Sequence, residues 1–292
     1  MTIHLAYQRL LAQLYEVYDN REAANIANMV IEHVTGQRKI ERIMYKDLPV
    51  NEEQQKQLEK IADELLNHRP VQYVLGEAWF MDMKLTVNEH VLIPRPETEE
   101  LVQWIIDDIR KSGKKDISIV DIGTGSGCIP IALKKKIPAI TVLAIDISND
   151  ALHVAKLNSI KQKADVDFLK LNFLNEEEWK QLGKYDIIVS NPPYIRQSEK
   201  VEMRDNVLKY EPSLALFVPG EDALLFYNTI AKFSRKHLKP EGKVYVEINE
   251  ALGEKVVEVF KEFGFTNVVL KEDLQGKDRM VKANQTRAEA SS

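Results

Sequence analysis

Beyond Glu97 the hydrophobic period of the chain switches repeatedly between that of a helix and that of a buried strand, and this alternation limits the fold more than any other feature. TEELVQWIIDDIRKSG (98–113) is an amphipathic helix, ISIVDIG (117–123) a buried strand, GCIPIALKKKI (127–137) a helix, TVLAIDI (141–147) a strand and NDALHVAKLNSIK (149–161) a helix. VDFLKLN (166–172) and YDIIVS (185–190) are strands, residues 223–238 a helix, KVYVEIN (243–249) a strand and EKVVEVFKEFG (254–264) a helix; TNVVLKED (266–273) and RMVKANQ (279–285) are the last strands. Strands joined through helices of this length build a parallel sheet covered on both faces. The expectation for residues 96–284 is therefore an α/β, Rossmann-like domain on a seven-stranded, mostly parallel sheet.

The N-terminal part has a different texture. Leu5, Leu10, Leu11, Leu14 and Val17 recur at helical spacing, as do Ile26, Met29, Val30 and Val34 before Gly36, and Leu58, Ile61, Leu65 and Leu66. Residues 1–70 are expected to form a small all-α bundle. Residues 71–95, rich in aromatic and β-branched side chains and ending in Pro94-Arg95-Pro96, read as a β-hairpin linker, and the polar residues 285–292 as a flexible tail.

Charge and cysteine content remove several functions. The chain carries 40 Lys and Arg against 45 Asp and Glu, and residues 1–95 alone carry 11 against 14, so neither part offers the basic surface that binding nucleic acid directly requires. Cys128 is the only cysteine, and the six histidines show no metal-ligand spacing. No apolar run reaches the length of a membrane span, and the N-terminus lacks the pattern of a signal peptide. A soluble cytoplasmic protein with no metal and no membrane partner is expected.

Val120-Asp121-Ile122-Gly123-Thr124-Gly125-Ser126-Gly127 closes a strand and opens a helix. Glycines there let the backbone turn sharply and approach a ligand, while the helix presents unpaired N–H groups. A dinucleotide fingerprint wants Gly or Ala at position 128, where Cys128 stands; G-x-G-x-G favours S-adenosyl-L-methionine over NAD. Asp121 is placed to hold the loop or meet the methionine ammonium. Asp146, 23 residues past Gly123, is placed to accept from both ribose hydroxyls, or else to cap a helix, a task for which Ser148 and Asn149 are as well situated.

Ser190-Asn191-Pro192-Pro193-Tyr194-Ile195 follows the fourth strand. Two prolines make a stiff turn, but they do not account for Asn before them and Tyr after them at the carboxyl edge of a parallel sheet. A planar NH₂ group is a poor nucleophile because its lone pair is delocalised. The Asn191 oxygen and a proline-stiffened backbone carbonyl can each accept one of its N–H groups, and Tyr194 can stack on its plane, so that the nitrogen is aimed at a methyl donor without a strong base.

With these residues in view, the chain resembles the amino-methylating class I methyltransferases, which act on DNA adenine N6, rRNA guanine N2 or protein glutamine N5. Further segments resemble one branch, the HemK-type release-factor glutamine methyltransferases. Arg69–Gly76 matches their RPxQYxLG, and Leu92–Glu99 their LIPRPDTE with Glu97 in place of Asp. Tyr210–Phe217, then Gly220–Leu224, resemble YEPxxALFxGxDGL with Ala223 in place of Gly, and Gly276–Arg279 is close to GxDR. The resemblance implies a class I fold and methyl transfer from S-adenosyl-L-methionine, leaving S-adenosyl-L-homocysteine. The implied acceptor is the glutamine of the Gly-Gly-Gln motif in class 1 peptide-chain release factors, with the N-terminal bundle as their docking domain. It assigns Asp121, Gly123, Thr124, Gly125, Ser126, Gly127 and Asp146 to the cofactor, with Asn172 and Phe173 flanking adenine although Asn172 departs from the usual Asp. It assigns Asn191, Pro192, Pro193 and Tyr194 to the substrate amide, with Asn191, Pro192 and Tyr194 catalytic and Asn191 also touching the cofactor; Arg95 and Glu97 line or brace the mouth. The competing readings are a nucleic-acid adenine-N6 or guanine-N2 methyltransferase and an NAD-dependent dehydrogenase of similar fold.

Overall fold

The structure, a computed structural model, describes residues 1–203 and 205–285. The chain divides into two units, one of Met1–Glu77 joined by a helix from residues 205–210, the other of the remaining chain.

The first unit is helical: α1 (Ile3–Leu14), α2 (Asn20–Thr35), α3 (Lys39–Met44), α4 (Glu52–Leu66) and α5 (Val71–Leu75). Side chains that satisfy orphan N–H groups start the long helices: Thr2 accepts from Leu5, Asp19 from Arg21 and Glu22, and Asn51 forms a reciprocal capping box with Gln54. Gly36, in the left-handed region at φ 71°, stops α2. Leu10, Leu14, Ile26, Val30, Leu58, Ile61 and Leu65 close one core. The stretch 71–95 is divided between the units. Val71 and Leu75 join the bundle core as part of α5, because burial at helical spacing outweighs the β preference of QYVL. Only the hairpin of β1 (Glu77–Phe80) and β2 (Met83–Thr86) remains of the expected linker, turned by Met81 and Asp82 at positive φ.

In the second unit come α6 (Pro96–Ser112), β3 (Ser118–Ile122), α7 (Cys128–Lys136), β4 (Thr141–Asp146), α8 (Asn149–Gln162), β5 (Asp167–Lys170) and β6 (Tyr185–Ser190). The helix of residues 205–210, α9 (Asp205–Tyr210), is grouped with the first unit, where the Tyr210 hydroxyl donates to the Asn67 carbonyl at 3.0 Å. Then follow α10 (Ser213–Leu216), α11 (Leu225–His237), β7 (Leu238–Glu247), α12 (Gly253–Glu262), β8 (Thr266–Glu272) and β9 (Asp278–Asn284). The seven strands lie in the order β5-β4-β3-β6-β7-β9-β8, parallel from β5 to β7, with β9 antiparallel to both neighbours. Consecutive strand residues supply opposite faces. Ile119, Ile187, Val189 and Tyr245 pack with α6 and α7 side chains such as Leu101, Ile105 and Ile131, whereas Val120, Ile188, Val244 and Val246 pack with Tyr227, Phe233, Val256 and Phe260 of α11 and α12. Of the expected tail only Gln285 lies within the described residues, and its N–H donates to the Gly242 carbonyl. No helix among the described residues is long and apolar enough to cross a membrane.

Asp108 fastens α6 to the sheet. One of its oxygens accepts from Tyr245 at 2.6 Å, Lys282 at 2.9 Å and Lys243 at 3.1 Å. Burial pushes this carboxyl up, but the three donors more than reverse it and bring it to about 2. A depressed native value stabilises the fold above the ordinary carboxylate range, and that contribution is lost as pH falls towards 2. Asp108→Asn should therefore cost about 1–3 kcal/mol at neutral pH in denaturant unfolding, with the gap from wild type closing in acid. A gap independent of pH would contradict this account.

Candidate active site

The strand order reverses at β3, with β4 and β5 on one side and β6 and β7 on the other, and ligands of such sheets bind outside the carboxyl ends at this point. Ile122 pairs with Ser190, and the Ser190 hydroxyl donates to the Ile122 carbonyl at 2.7 Å. Gly123 and Asn191 therefore leave adjacent strands at the same level, on strands about 5 Å apart.

Gly123, Gly125 and Gly127 have φ of 74°, 54° and 79°. A Cβ on Gly123 or Gly125 would meet nothing within 4 Å, so their backbone faces open space; on Gly127 it would lie 3.1 Å from the Ala155 Cβ. The first two thus serve approach from outside and the third serves packing between α7 and α8. Gly123 and Thr124 donate to the Ile145 carbonyl, and Gly127 to that of Thr124.

Asp121 is fully buried directly before this turn, and among the described residues neither of its oxygens has a hydrogen-bond partner; nor has the hydroxyl of Thr124. Burial pushes the Asp121 carboxyl up to about 7; Thr124 beside it opposes the rise without closing a well-formed hydrogen bond, and the Asp146 charge adds to it. Orphaned buried acceptors beside a bare glycine turn fit a cationic ligand group. Asp146 instead accepts from Gly125 and Ser148, each at 2.9 Å, while Ser148 caps α8 by accepting from Ala151. Asp146 thus braces the loop, leaving further lone pairs on both oxygens. Burial raises its pKa, and those N–H donors oppose the rise. Ser126 is buried, and its carbonyl accepts from Asn158 at 2.9 Å.

Asn172 and Phe173, expected to flank adenine, follow β5. Phe173 is 6% exposed, stacked on Trp179 at 5.6 Å and edge-on to Phe233 at 5.3 Å, so its ring packs into the core. The Asn172 oxygen accepts from the N–H of Leu174, the geometry of a turn asparagine. Ile147, directly after Asp146 and 46% exposed, is an apolar side chain that the sequence reading passed over at this edge.

Around Asn191 the structure gathers groups from distant segments. Its Nδ2 donates to the Thr98 hydroxyl at 3.2 Å, and that hydroxyl donates to Glu247 Oε2 at 2.6 Å. Thr98 and Glu247 are 2% and 3% exposed. Among the described residues no group donates to the Asn191 Oδ1 or the Pro192 carbonyl. Pro192 is buried; Pro193 and Tyr194 are partly exposed. Burial, then the charge of Glu247, pushes the Tyr194 hydroxyl up to about 12, so it stays protonated. Beyond the prolines Ile195 bridges to Phe217, donating to Leu216 and accepting from Val218, which fixes the exit of the loop. Arg95 pairs with the buried Glu211 at 2.6 Å. Thr98, Glu247 and Asn158 were missed from sequence: a threonine in the first turn of a helix, a carboxylate ending a strand and a mid-helix asparagine are each commonplace.

A Rossmann-like sheet whose switch point joins a glycine turn to an Asn-Pro-Pro-Tyr loop defines a class I methyltransferase. The description "Methyltransferase small domain" matches residues 101–210, and "PrmC N-terminal domain" residues 6–76. The chain is 43% identical to the release factor glutamine methyltransferase of Flavobacterium psychrophilum over 93% of its length and 95% of that protein's. It is 40% identical to the release factor glutamine methyltransferase of Bacteroides thetaiotaomicron, over 93% and 96%. A methyltransferase from Pyrococcus furiosus shares the fold, at a TM-score of 0.50 and 17% identity over 71% of this chain and 91% of the other. The chain belongs to the release factor glutamine methyltransferase family.

The two kinds of glycine separate by experiment. Gly125→Ala should cost only the left-handed strain of about 1–2 kcal/mol yet sharply weaken S-adenosylhomocysteine binding in calorimetry. Gly127→Ala adds crowding against Ala155 and should cost about 2–5 kcal/mol in thermal unfolding.

Proposed function

We propose that the protein methylates the side-chain amide nitrogen of the glutamine in the Gly-Gly-Gln motif of class 1 release factors, using S-adenosyl-L-methionine. The reading is carried by one observation: two acceptors to which no described group donates, Asn191 Oδ1 and the Pro192 carbonyl, leave β6 level with the bare glycine turn on the neighbouring strand. The family's named activity supports it.

Asp121 and the turn Gly123–Gly127 would hold the methionine end of the cofactor, Asp146 the ribose and Ile147 a face of the adenine. The cofactor supplies an electrophilic methyl on a sulfonium. Asn191 Oδ1 and the Pro192 carbonyl each accept one N–H of the glutamine amide, which fixes its plane and favours a more tetrahedral nitrogen. Tyr194 limits tilt of that plane, and its hydroxyl keeps its proton throughout the neutral range. Orientation is the main contribution, and effective molarity is a large enough term to supply it. Release factors are the protein partner; the net charge of −5 argues against direct contact with nucleic acid. We place the reaction in the cytoplasm, without a membrane partner.

Purified release factor incubated with the enzyme and cofactor should gain the mass of one methyl group on that glutamine, read by peptide mass spectrometry; equal labelling of a factor with Gln replaced by Ala would refute the site. Asn191→Ala should lose most turnover while keeping cofactor affinity.

Cofactor binding also carries a pH signature. Asp121, protonated below about 7, must ionise to meet the ammonium of S-adenosylhomocysteine. Affinity should therefore rise with pH from about 6 to 8 and flatten in Asp121→Asn. Flat binding in the wild type would remove Asp121 from the ammonium site.

A further inference from the structure

We infer that Thr98 and Glu247 act together as a positioning pair that sets which way round the Asn191 carboxamide stands. The inference rests on the proposed role of Asn191 and explains how one face of a symmetric-looking amide is selected.

An amide can turn over, exchanging its acceptor oxygen for a donor NH₂ with almost no change of shape. Only one orientation serves a substrate that offers two N–H groups, because a donor turned outward would oppose them. Glu247 decides between the two. When ionised, the Glu247 carboxylate only accepts, so the Thr98 hydroxyl then spends its one proton on Oε2, at 2.6 Å; burial raises Glu247 to about 7, so this arrangement is complete above that pH. The hydroxyl oxygen then has only lone pairs left, and it can meet Asn191 solely as an acceptor. Nδ2 is held to Thr98 at 3.2 Å, and Oδ1 is left without a donor among the described residues. Thr98 and Glu247 are almost completely buried, so water does not compete for these bonds. The chain of three has no other evident use: Thr98 lies in the first turn of α6 and Glu247 ends β7, and each already has its backbone placed by those elements.

The test compares the wild type with Thr98→Val, Thr98→Ser and Glu247→Gln, scored for kcat, KM for release factor, S-adenosylhomocysteine affinity and thermal midpoint. Valine keeps the shape and removes the hydroxyl; kcat should fall on the order of 10- to 100-fold, with KM and cofactor affinity within about twofold, and serine should restore it. Glu247→Gln can donate as well as accept, so it should lose several-fold in kcat while remaining folded, which keeps the test open if Thr98→Val does not fold. A folded Thr98→Val or Glu247→Gln with wild-type kcat overturns the inference, as does a loss in which cofactor affinity falls in step with kcat. A readout independent of turnover is solvent exchange of the Asn191 side-chain NH₂ protons by nitrogen-15 NMR, assigned by their absence in Asn191→Ala. Exchange should be slow in the wild type and Thr98→Ser and fast in Thr98→Val; unchanged exchange overturns the inference. If exchange responds as expected but the wild type leaves the Gly-Gly-Gln glutamine unmethylated, the proposed substrate is wrong and the positioning pair stands.

Discussion

The pairing of β3 with β6 at the centre of the sheet is the constraint from which the site follows. Parallel strands that are neighbours in space but distant in sequence bring residues 123 and 191 side by side, and the Ser190 hydroxyl on the Ile122 carbonyl fastens the two ends together. A slip of one residue would turn Ser190 away from Ile122 and exchange Val189 and Ile188 between the two cores. The cost of misplacing buried apolar side chains on both faces thus holds the two loops in step. The cofactor turn and the amide-gripping loop require no direct contact with each other, because each inherits its place from the sheet.

Much of this was legible in the sequence. The alternation of hydrophobic periods located all seven strands of the sheet; for the central strands β3, β4, β6 and β7 the reason is that a strand covered on both faces is almost continuously apolar. The glycine turn and Asn191–Tyr194 were recognisable because their residue types are locally required by backbone conformation or by chemistry. What escaped was whatever depends on tertiary proximity. Thr98 and Glu247 are 149 positions apart and meet only once α6 lies over the end of β7. Asn158 ties the Thr86 backbone to the Ser126 carbonyl, a fully buried amide with both its N–H groups and its oxygen bonded, yet within its helix it reads as an ordinary polar residue. The packing of Phe173 was equally hidden: its ring stacks on Trp179 and meets Phe233 edge-on, partners that lie beyond its own strand and loop.

Three buried or largely buried carboxylates surround the crevice, and their partners give each a separate character. Asp146 is satisfied by two backbone N–H groups and serves as architecture that can still accept from outside. Glu247 has the Thr98 hydroxyl, and burial raises it to about 7, a value the nearby Arg279 and Arg95 guanidiniums hold down. Asp121 has no well-formed hydrogen bond among the described residues. A buried carboxylate left without partners destabilises the fold, and an apolar side chain of similar size would pack at β3 with less cost. A sequence under selection for stability alone has no reason to place an aspartate there, whereas a site that must attract a cation gains from a charge whose solvation has already been removed.

The other reactive side chains near the loop stand apart from Asn191 or act through it. Cys128 is buried, and its thiol is pushed up to about 12, chiefly by that burial, so it offers no thiolate at neutral pH. Glu247, the carboxylate nearest to Asn191 along the hydrogen-bond chain, reaches the amide only through Thr98. A group separated from the substrate nitrogen by both Thr98 and Asn191 is poorly placed to take its proton but well placed to determine how Asn191 is turned. The residues around the loop therefore divide into those that would meet the substrate amide, which are Asn191, Pro192 and Tyr194, and those that decide how they are presented. In a reaction whose barrier is dominated by alignment, the second group is as necessary as the first, and it is the group that only a folded structure reveals.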